Sequence, residues 1–554
     1  MRLLAGPNAT GLSVKGFAGT YVVLLAFNCA SDYCAGLLGF GIRRTDIFNG
    51  EVIWLRGLKK FDIPDSDDGE SVTTLHHPIQ KFHWGDYTVK QGRTYIYEVF
   101  AMRGTKDNLV PTDSVTIRLT CEIADQIGQH GHSVNFNRSA AASQAFDRRF
   151  PDLPLGDVVD PNARKWLSRG LQEALTGFID QAQAGQVLHC FLYEFSKPEY
   201  AQALKAARAR GVIVQILHDA IIGADGKGPI LESGPLLQEY GLDDVARGRT
   251  GDGLAISHNK FVVLSDGAGN GLALLTGSTN FSDAAVYAQT NVAHIITGEE
   301  PATTYLRWHQ AIWDRANMSA SDSRQLTADL TPLPVLPAAG TNPVFSPRTS
   351  VEAIELCARL VTAATDIVCF TAPFAVHDDL ERALVATPAQ VFGLLNKHGV
   401  VGKAMYDAPN TLLTAPAALN DRSVLEAWQA HMLDKLRQES LHHSGVFIHS
   451  KVILIDPLSN HPVTVTGSAN FSNNSSRNND ENQLFIFDET EVADVYIGEF
   501  MRMFDHYYFR DHIKAAKAQA ITNPKAAFLD ETDAWTQRYY DQGEREKERL
   551  AFFS

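Results

Sequence analysis

The first 120 residues contain short runs in which apolar and polar positions alternate, whereas later apolar residues recur at helical spacing between fully apolar runs. Alternation is typical of half-buried strands, and a period near 3.6 is typical of amphipathic helices. The early runs, which begin at Tyr21, Glu51, Thr94 and Ser114, are rich in β-branched and aromatic residues and are separated by turn residues. This pattern predicts an all-β sandwich.

The segment 87–101 has a Gln-Gly turn followed by alternating Tyr95, Tyr97 and Val99, and it resembles a strand of fibronectin type III domains. That resemblance concerns the fold alone and implies no activity.

Two later stretches alternate strands with helices. The predicted elements are helix 166–184, strand 187–195, helix 200–210 and strand 212–217, then helix 350–364, strand 366–374 and helix 378–386. Such alternation indicates βαβ units, so we expect a two-lobed α/β (α-β-α) region after the sandwich.

These patterns divide the chain into six units. They are a β-sandwich domain at 1–122, a linker at 123–159, a first lobe at 160–325, a Pro-rich linker at 326–347, a second lobe at 348–510 and a helical tail at 511–554. The Pro-rich linker is expected to be unpacked. The charged run Glu544–Arg549 is expected to form a solvated helix with i,i+4 ion pairs.

The composition is 45% hydrophobic and 20% charged, which excludes disordered, collagen-like and coiled-coil proteins. The net charge of -15 disfavours nucleic acids and anionic membranes as partners, although it leaves room for a local basic cleft. The six cysteines lack regular spacing and are expected to be reduced thiols. For Cys29 and Cys34 a partly buried thiol pair is favoured over a metal site.

No apolar run reaches the roughly 20 residues needed to span a membrane. The amino terminus also lacks the apolar core of a signal peptide, so we expect a cytoplasmic protein. Secretion by a non-classical route would leave no mark in the sequence.

Two segments repeat the same polar residues in the same order. The first contains Ser257–Asp266 and Gly277–Ser282, and the second contains Ile448–Asp456 and Gly467–Ser472. The lysines of the repeat are 191 residues apart and the asparagines 190. Functional groups repeated in this way imply two similar lobes that share one site.

In each copy, His-x-Lys places an imidazole and an ammonium on one face of a strand, and a hairpin would return a serine and an asparagine beside them. Two facing sets would form a pocket with a charge of about +2 before the histidines are counted. Such a pocket suits a phosphoryl group, because it supplies a nucleophile, an acid and hydrogen-bond donors. The candidate residues are His258, Lys260, Asn280, His449, Lys451 and Asn470.

The repeat resembles the signature of the phospholipase D superfamily, His-x-Lys-x4-Asp followed by Gly-Ser-x-Asn. The second copy matches in full, whereas the first has Ser265 at the Asp position and Asp266 one residue later. This departure predicts a bulged extra residue between Lys260 and Asp266. The resemblance covers about residues 135–510, and it implies structural roles for Asp266 and Asp456.

The resemblance implies a two-step displacement without metal or other cofactor. One histidine attacks phosphorus to form a phosphohistidine, while the other protonates the leaving oxygen and then deprotonates the incoming water or alcohol. Carried over by position, His258 and His449 form this pair. The two lysines and two asparagines hold the phosphoryl oxygens, supported by Ser278 and Ser468.

The two copies differ downstream of the asparagine. Glu481 follows the second copy, whereas its counterpart in the first, Gln289–Asn291, contains no acid. In two-lobed members the acid of the second half orients the imidazole of the first, and a carboxylate partner fixes the tautomer of a nucleophilic histidine. These points favour His258 as nucleophile and Glu481 as its orienting partner. The alternative, a loop carboxylate facing water, stays open at even weight.

Further polar residues are weaker candidates. Glu194, His218 and Asp219 lie at the carboxyl ends of predicted parallel strands, where they would either line the cleft or be ordinary loop residues. His130 and His132 fall in the polar linker and are expected to be solvated.

Three functions are consistent with the sequence. The favoured one is a phospholipase D-type phosphodiesterase that hydrolyses a phospholipid, and the alternatives are a nuclease of the same superfamily and a non-catalytic scaffold or adhesion protein. A phospholipid synthase is disfavoured because no segment spans a membrane. The expected partners are a phosphodiester substrate and, transiently, a membrane surface, with no stable protein partner. Both motifs lie in one chain, so activity as a monomer is expected.

Overall fold

The computed structural model describes residues 1–57, 59–62, 73–127, 131–139, 141, 145–146, 149–150, 160–223, 226–416, 447–520 and 528–554, with the side chains of 509–520 excepted. Within these ranges, no helix combines the length and the apolar character that crossing a bilayer requires. All six cysteines are buried free thiols, and the Sγ atoms of Cys29 and Cys34 lie 3.9 Å apart.

The first part of the chain forms two antiparallel sheets of four strands each. The strands are β1 Arg2–Ala5, β2 Ser13–Ala18, β3 Val23–Asn28, β4 Gly39–Asp46, β5 Val52–Trp54, β6 His83–Asp86, β7 Thr94–Thr105 and β8 Asn108–Thr120. Their orders are β1-β2-β3-β6 and β5-β4-β7-β8. Residues of both sheets, such as Phe27 and Tyr97, share one apolar core. Alternate residues of β7 point into this core, which explains the alternation in the sequence.

The first lobe is built on a mixed sheet of order β12-β11-β10-β14-β15-β16-β9. Its elements are β9 His132–Phe136, α1 Pro161–Ser168, α2 Leu171–Asp180, β10 Val187–Leu192, α3 Pro198–Ala209, β11 Ile213–Asp219, α4 Ile230–Tyr240, β12 Ala246–Arg249, β13 Ile256–Ser257, β14 Lys260–Ser265, β15 Gly271–Gly277, β16 Val292–Thr297, α5 Glu299–Asp314 and α6 Ala320–Leu330. The helix predicted at 166–184 is interrupted, because Arg169 and Gly170 adopt positive φ angles of 49° and 91°.

The second lobe repeats this plan on a second mixed sheet. Its elements are β17 Gly340–Ser346, α7 Glu352–Ala363, β18 Ile367–Ala372, α8 Asp378–Ala386, β19 Gln390–Leu395, α9 Lys403–Asp407, β20 Thr411–Thr414, β21 Val452–Ile455, β22 Val463–Gly467, α10 Asn473–Arg477, β23 Asn479–Phe487 and α11 Thr490–Ala520, with α12 Glu544–Phe553 at the end of the chain. The strand order is β13-β23-β22-β21-β18-β19-β20, and β17 also pairs with β23. The α/β architecture predicted for this part of the chain is therefore present as two mixed sheets.

Both predicted linkers contain strands of these sheets. β9 pairs with β16, and on it His132 is buried with its Nδ1 atom 2.9 Å from Nε2 of His294, so the expectation of a solvated side chain is wrong. His130 lies outside the described residues. β17 pairs with β23 along its whole length, so the second linker is not unpacked. Pro343 is compatible with this pairing because β17 is an edge strand, where a missing N–H costs little.

The carboxyl-terminal residues pack against the amino-terminal sheets. α11 crosses the expected boundary at 510, and Trp535 and Tyr539 belong to the apolar core of β1–β8. In α12, Glu548 and Arg549 are only 2% and 5% exposed, so the prediction of a solvated helix is wrong for this side of it. Their charges are matched locally, since Glu548 pairs with Arg545 and Arg549 pairs with Glu546.

Candidate active site

Both predicted histidines lie immediately before a central strand of their own lobe. His258 separates β13 from β14, and His449 stands three residues before β21. Their rings lie next to each other between the lobes in an edge-to-face arrangement, with centroids 6.5 Å apart and an interplanar angle of 74°. A phosphorus atom between the rings could lie at a near-attack distance of about 3 Å from each.

The segment that carries each histidine is joined to the opposite lobe by backbone hydrogen bonds. β13 pairs in parallel with β23, and the His258 N–H donates to the Asp480 carbonyl at 2.8 Å. In the reciprocal contact, Ile448 pairs with Thr290, whose N–H donates to the Phe447 carbonyl at 2.7 Å. This exchange brings the two halves of the repeat into one site.

A carboxylate of the second lobe orients His258. The Nδ1 atom of His258 lies 2.7 Å from Oε2 of Glu481. The other oxygen, Oε1, accepts hydrogen bonds from the Ser475 hydroxyl at 2.9 Å and the Asn479 amide at 3.1 Å. Glu481 lies within β23 and is 0% exposed, so the alternative of a loop carboxylate facing water is wrong.

The equivalent partner of His449 is Asn291, which sequence analysis did not assign to the site. Nδ1 of His449 lies 2.9 Å from Oδ1 of Asn291. Asn291 precedes Glu481 by 190 residues, the separation that also relates Asn280 to Asn470. That constant offset is the signal from which the assignment could have been made.

The two serines secure the strands that carry these orienting residues. Ser278 donates to Oδ1 of Asn291 at 2.8 Å and accepts from the Val292 N–H at 3.2 Å. Ser468 accepts from the Asn482 N–H at 3.0 Å. Both serines therefore act on the strand beside each imidazole. Within the described part of the chain, neither serine is hydrogen-bonded to the lysines or to Asn280 and Asn470, which they were expected to support.

The two lysines occupy equivalent buried positions. Nζ of Lys260 donates to the His258 carbonyl at 2.6 Å, and Nζ of Lys451 donates to the His449 carbonyl at 2.6 Å. In the first lobe, Nζ of Lys260 also lies 4.7 Å from the centroid of the Tyr193 ring. That ring packs edge-on against His258 at a centroid distance of 4.6 Å.

Burial and neighbouring charges set the protonation of these groups. Desolvation lowers the pKa of Lys260 to about 7, and desolvation together with Lys260 lowers the pKa of Lys451 well below its ordinary value. Desolvation and the two lysines lower the pKa of His258 to about 4, although Glu481 opposes this shift. At pH 7 His258 is therefore neutral: its Nδ1–H donates to Glu481, and Nε2 carries a lone pair.

Two further carboxylates offset the positive charge that the sequence predicts for this pocket. Glu194 accepts a hydrogen bond from the Asn280 amide at 2.6 Å. Asp219 accepts from the Ser257 N–H at 3.1 Å, and its Oδ2 atom is buried without a hydrogen-bond partner in the described chain. Burial raises the pKa of Asp219 to about 7. His218 is buried beside them, with Nδ1 3.2 Å from the Asp219 carbonyl.

The second lobe has neutral residues at the positions of these carboxylates. Register of the parallel strands equates Asp219 with Asn396 and Glu194 with Phe374. Asn396 accepts hydrogen bonds from the N–H groups of Phe447 and Ile448 at 2.7 and 3.1 Å. Its amide oxygen therefore accepts backbone hydrogen bonds in the second lobe as the Asp219 carboxylate does in the first.

The two motif aspartates have different surroundings. Asp456 accepts hydrogen bonds from the N–H groups of residues 365–367 and so fixes the start of β18, which is a structural role. Asp266 instead lies in the turn after β14, where it accepts from the N–H of Asn270 at 2.8 Å and does not reach the site.

The pairing of β14 with β15 does shift between Leu264 and Ser265, inside the predicted range, but the extra residue is not on β14 as predicted. Ser265 pairs with the first residue of β10, as Asp456 does with the first residue of β18. The register shift lies on the opposite strand, where Leu272 is the unpaired residue of β15. The extra residue is therefore downstream of the turn.

A family model described as "Cardiolipin synthase, PLD-like domain" matches residues 175–313 and 356–504. Each matched range contains one of the histidines described above. Among the curated proteins, none matches the chain.

Several solved structures are similar to parts of the chain. A phosphatidylserine synthase from Haemophilus influenzae Rd KW20 is 14% identical, with a TM-score of 0.42 over 65% of this chain and 94% of that one. Nuc from Salmonella typhimurium, a phospholipase D family member, is 26% identical, with a TM-score of 0.22 over 26% and 87%. NucT from Helicobacter pylori is 19% identical, with a TM-score of 0.23 over 30% and 96%.

Proposed function

The chain belongs to the phospholipase D superfamily, and from that premise we propose that it hydrolyses a phospholipid phosphodiester through a phosphohistidine on His258. The observation that carries this proposal is the pair of facing imidazoles, one held by a carboxylate and the other by an amide. A carboxylate partner stabilises the cation that forms when a histidine acts as nucleophile.

In the first step, Nε2 of neutral His258 attacks phosphorus and forms the P–N bond. The bond from phosphorus to the alcohol oxygen breaks, and His449 gives its proton to that oxygen. Lys260, Lys451, Asn280 and Asn470 would hold the remaining phosphoryl oxygens, whose charge grows in the transition state.

In the second step, His449 is neutral and takes a proton from water. The water oxygen attacks phosphorus as the P–N bond breaks, which returns His258 to its neutral state and His449 to its protonated state. Glu481 stabilises the cationic ring of His258 while the phosphoryl group is attached. An alcohol in place of water would give transfer instead of hydrolysis.

Charge supports a lipid in preference to a nucleic acid. The chain carries a net charge of -15, and Glu194 and Asp219 lie among the charges that act on Lys260. A nucleic acid brings further phosphates on both sides of the scissile one, which Glu194 and the ionised form of Asp219 would repel. Its binding also depends on neutralising several phosphates at once. A phospholipid brings a single phosphodiester.

The test is to assay phosphatidylcholine, bis-p-nitrophenyl phosphate and single-stranded DNA in EDTA, with His258→Ala and His449→Ala as matched variants. We expect steady turnover of the first two substrates, and loss of nearly all of it in either variant. Adding an alcohol measures how the phosphoryl group divides between hydrolysis and transfer. Faster cleavage of DNA than of lipid would overturn the lipid assignment, and turnover that survives either substitution would overturn the mechanism.

A further inference from the structure

One carboxylate in the cleft has no place in the two-step scheme. Glu194 follows β10, and its Oε2 atom accepts a hydrogen bond from Nδ2 of Asn280 at 2.6 Å and from the Ser282 hydroxyl at 3.4 Å. An acid beside a group that binds phosphoryl oxygen is unfavourable for an anionic substrate, so its presence calls for a compensating role.

The backbone holds these two segments together. The Phe281 N–H donates to the Glu194 carbonyl at 3.0 Å, and the N–H groups of Ser196 and Lys197 both donate to the Phe281 carbonyl at 3.1 Å. Phe195 and Phe281 form a parallel bridge. The contact between Glu194 and Asn280 is therefore set by strand register and does not depend on a chance rotamer.

The chemistry of the contact fixes the direction of the Asn280 amide. An ionised carboxylate only accepts hydrogen bonds, so it must face the NH₂ group and not the amide oxygen. One of the two amide hydrogens is then held by Glu194, and the second is left for the cleft. Asn280 is 2% exposed, and its Oδ1 atom has no hydrogen-bond partner among the described residues, so that oxygen does not determine the orientation.

The second lobe has no carboxylate at the position equivalent to Glu194. The residue equivalent to Glu194 is Phe374, which is 46% exposed and cannot accept a hydrogen bond. The difference falls in the lobe that also carries the carboxylate-assisted histidine, because His258, Lys260 and Asn280 all belong to the first copy of the repeat.

We propose that Glu194 is a positioning residue that fixes the amide of Asn280 so that its free N–H points at a phosphoryl oxygen. The inference rests on the proposed function, in which Asn280 binds the phosphoryl group. It predicts that the carboxylate aids binding of a phosphate group through Asn280, despite its own negative charge.

Binding of inorganic phosphate, measured by titration calorimetry, tests this without requiring turnover. Glu194→Ala should weaken phosphate binding about tenfold, the cost of about one well-placed hydrogen bond to a charged group. Glu194→Gln keeps an acceptor and should recover most of that loss. Phe374→Ala is the matched control at the equivalent position and should leave binding and turnover unchanged. Thermal melting of each variant reports whether it is folded.

The decisive comparison is a double-mutant cycle with Asn280→Ala. If Glu194 acts through Asn280, adding Glu194→Ala to Asn280→Ala should cause no further loss of phosphate binding, and kcat on bis-p-nitrophenyl phosphate should follow the same pattern. Tighter phosphate binding by Glu194→Ala, or losses that multiply in the double variant, would overturn the proposal. Turnover by His258→Ala would instead count against the proposed function, and the binding cycle would still decide the role of Glu194.

Discussion

His258 and His449 occupy equivalent positions, yet different groups hold their Nδ1 atoms. Glu481 is a buried acceptor that bears charge, whereas Asn291 is a neutral one. A neighbouring carboxylate favours the imidazolium that forms on attack at phosphorus, and a neutral amide does so less. Under the proposed function, this difference favours attack by His258 and proton transfer by His449.

Glu481→Gln tests the assignment of His258 as nucleophile by changing only the group that contacts its Nδ1 atom. The substitution keeps a hydrogen-bond acceptor but removes the charge, so the phosphohistidine should form about 100-fold more slowly. The pre-steady-state burst of p-nitrophenol from bis-p-nitrophenyl phosphate measures that rate. Asn291→Ala is the matched change in the other lobe and should slow the burst less than tenfold, because p-nitrophenolate needs little acid catalysis. Equal slowing by the two variants would contradict the assignment.

The pH dependence of kcat/KM follows from the groups of the free enzyme. His258 must be neutral to attack, so activity should rise as pH increases through about 4, its lowered pKa. Lys260 must be charged, so activity should fall as pH increases through about 7. Lys260→Arg stays charged throughout, so its falling limb should move away from pH 7 to the pH at which the acid His449 loses its proton, even if its rate is lower. A falling limb that stays at about pH 7 in this variant would show that Lys260 is not the group responsible.

Backbone pairing between the lobes is the feature that organises the site at the scale of elements. β13 is only two residues long, and it joins the sheet of the other lobe beside Asp480. The side chain of Asp480 pairs with Arg249 at 2.8 Å, and both side chains are 0% exposed. Asp480 therefore takes part both in the buried ion pair, through its side chain, and in the hydrogen bond to the His258 N–H, through its carbonyl.

Breaking this pair should destabilise the junction of the lobes. Arg249→Met leaves Asp480 buried without its counter-ion and should lower the free energy of unfolding by about 3–5 kcal/mol, measured by urea denaturation. Adding Asp480→Asn should restore part of the loss, because the remaining charge is removed. Arg208→Met breaks the exposed pair with Asp244 and should lower the free energy of unfolding much less, because solvent screens an exposed pair. A cost below that of the exposed pair would refute the structural role of Arg249.

Sequence patterns identify those elements whose partners are local or repeated. The helix 378–386 and the hairpins that return Asn280 and Asn470 follow from periodicity and from the duplicated motif. The position of the extra residue cannot be predicted in this way, because an insertion before Asp266 and one after it give the same number of residues between Lys260 and Gly277. Only the register of β14 against β15 distinguishes these two positions. Asn291 was missed because an amide carries no catalytic signature apart from its place in the repeat.

At the scale of the whole molecule, segments distant in sequence complete each other's cores. Trp535 and Tyr539 fill the core of the amino-terminal sheets, and Arg2 forms an ion pair with Asp494 of α11 at 2.9 Å. A proline-rich or highly charged composition is typical of solvent-exposed segments. A prediction from composition therefore missed that β17 and α12 pack against the remainder of the chain. Packing between segments distant in sequence depends on which apolar surface the other elements leave exposed, and composition does not contain that information.

Trp535→Ala should therefore destabilise a part of the protein remote from the cleft. Trp535 is 4% exposed and donates to the Leu37 carbonyl at 2.9 Å, so its loss should lower the free energy of unfolding by about 3–5 kcal/mol. At temperatures where the variant stays folded, kcat on bis-p-nitrophenyl phosphate should be unchanged. Gln537→Ala, at an exposed neighbouring position, serves as the control. Thermal stability equal to that of the control would contradict the packing role of Trp535.

The covalent intermediate tests the central claim most directly. His449→Ala, mixed with a p-nitrophenyl phosphodiester and quenched, should accumulate a phosphoryl adduct, because the leaving group departs without an acid while water is no longer activated. Mass spectrometry of the digested protein should place that adduct on His258, and His258→Ala should trap none. An adduct on His449 in the wild-type or His258→Ala protein would contradict the account and reverse the roles of the two lobes.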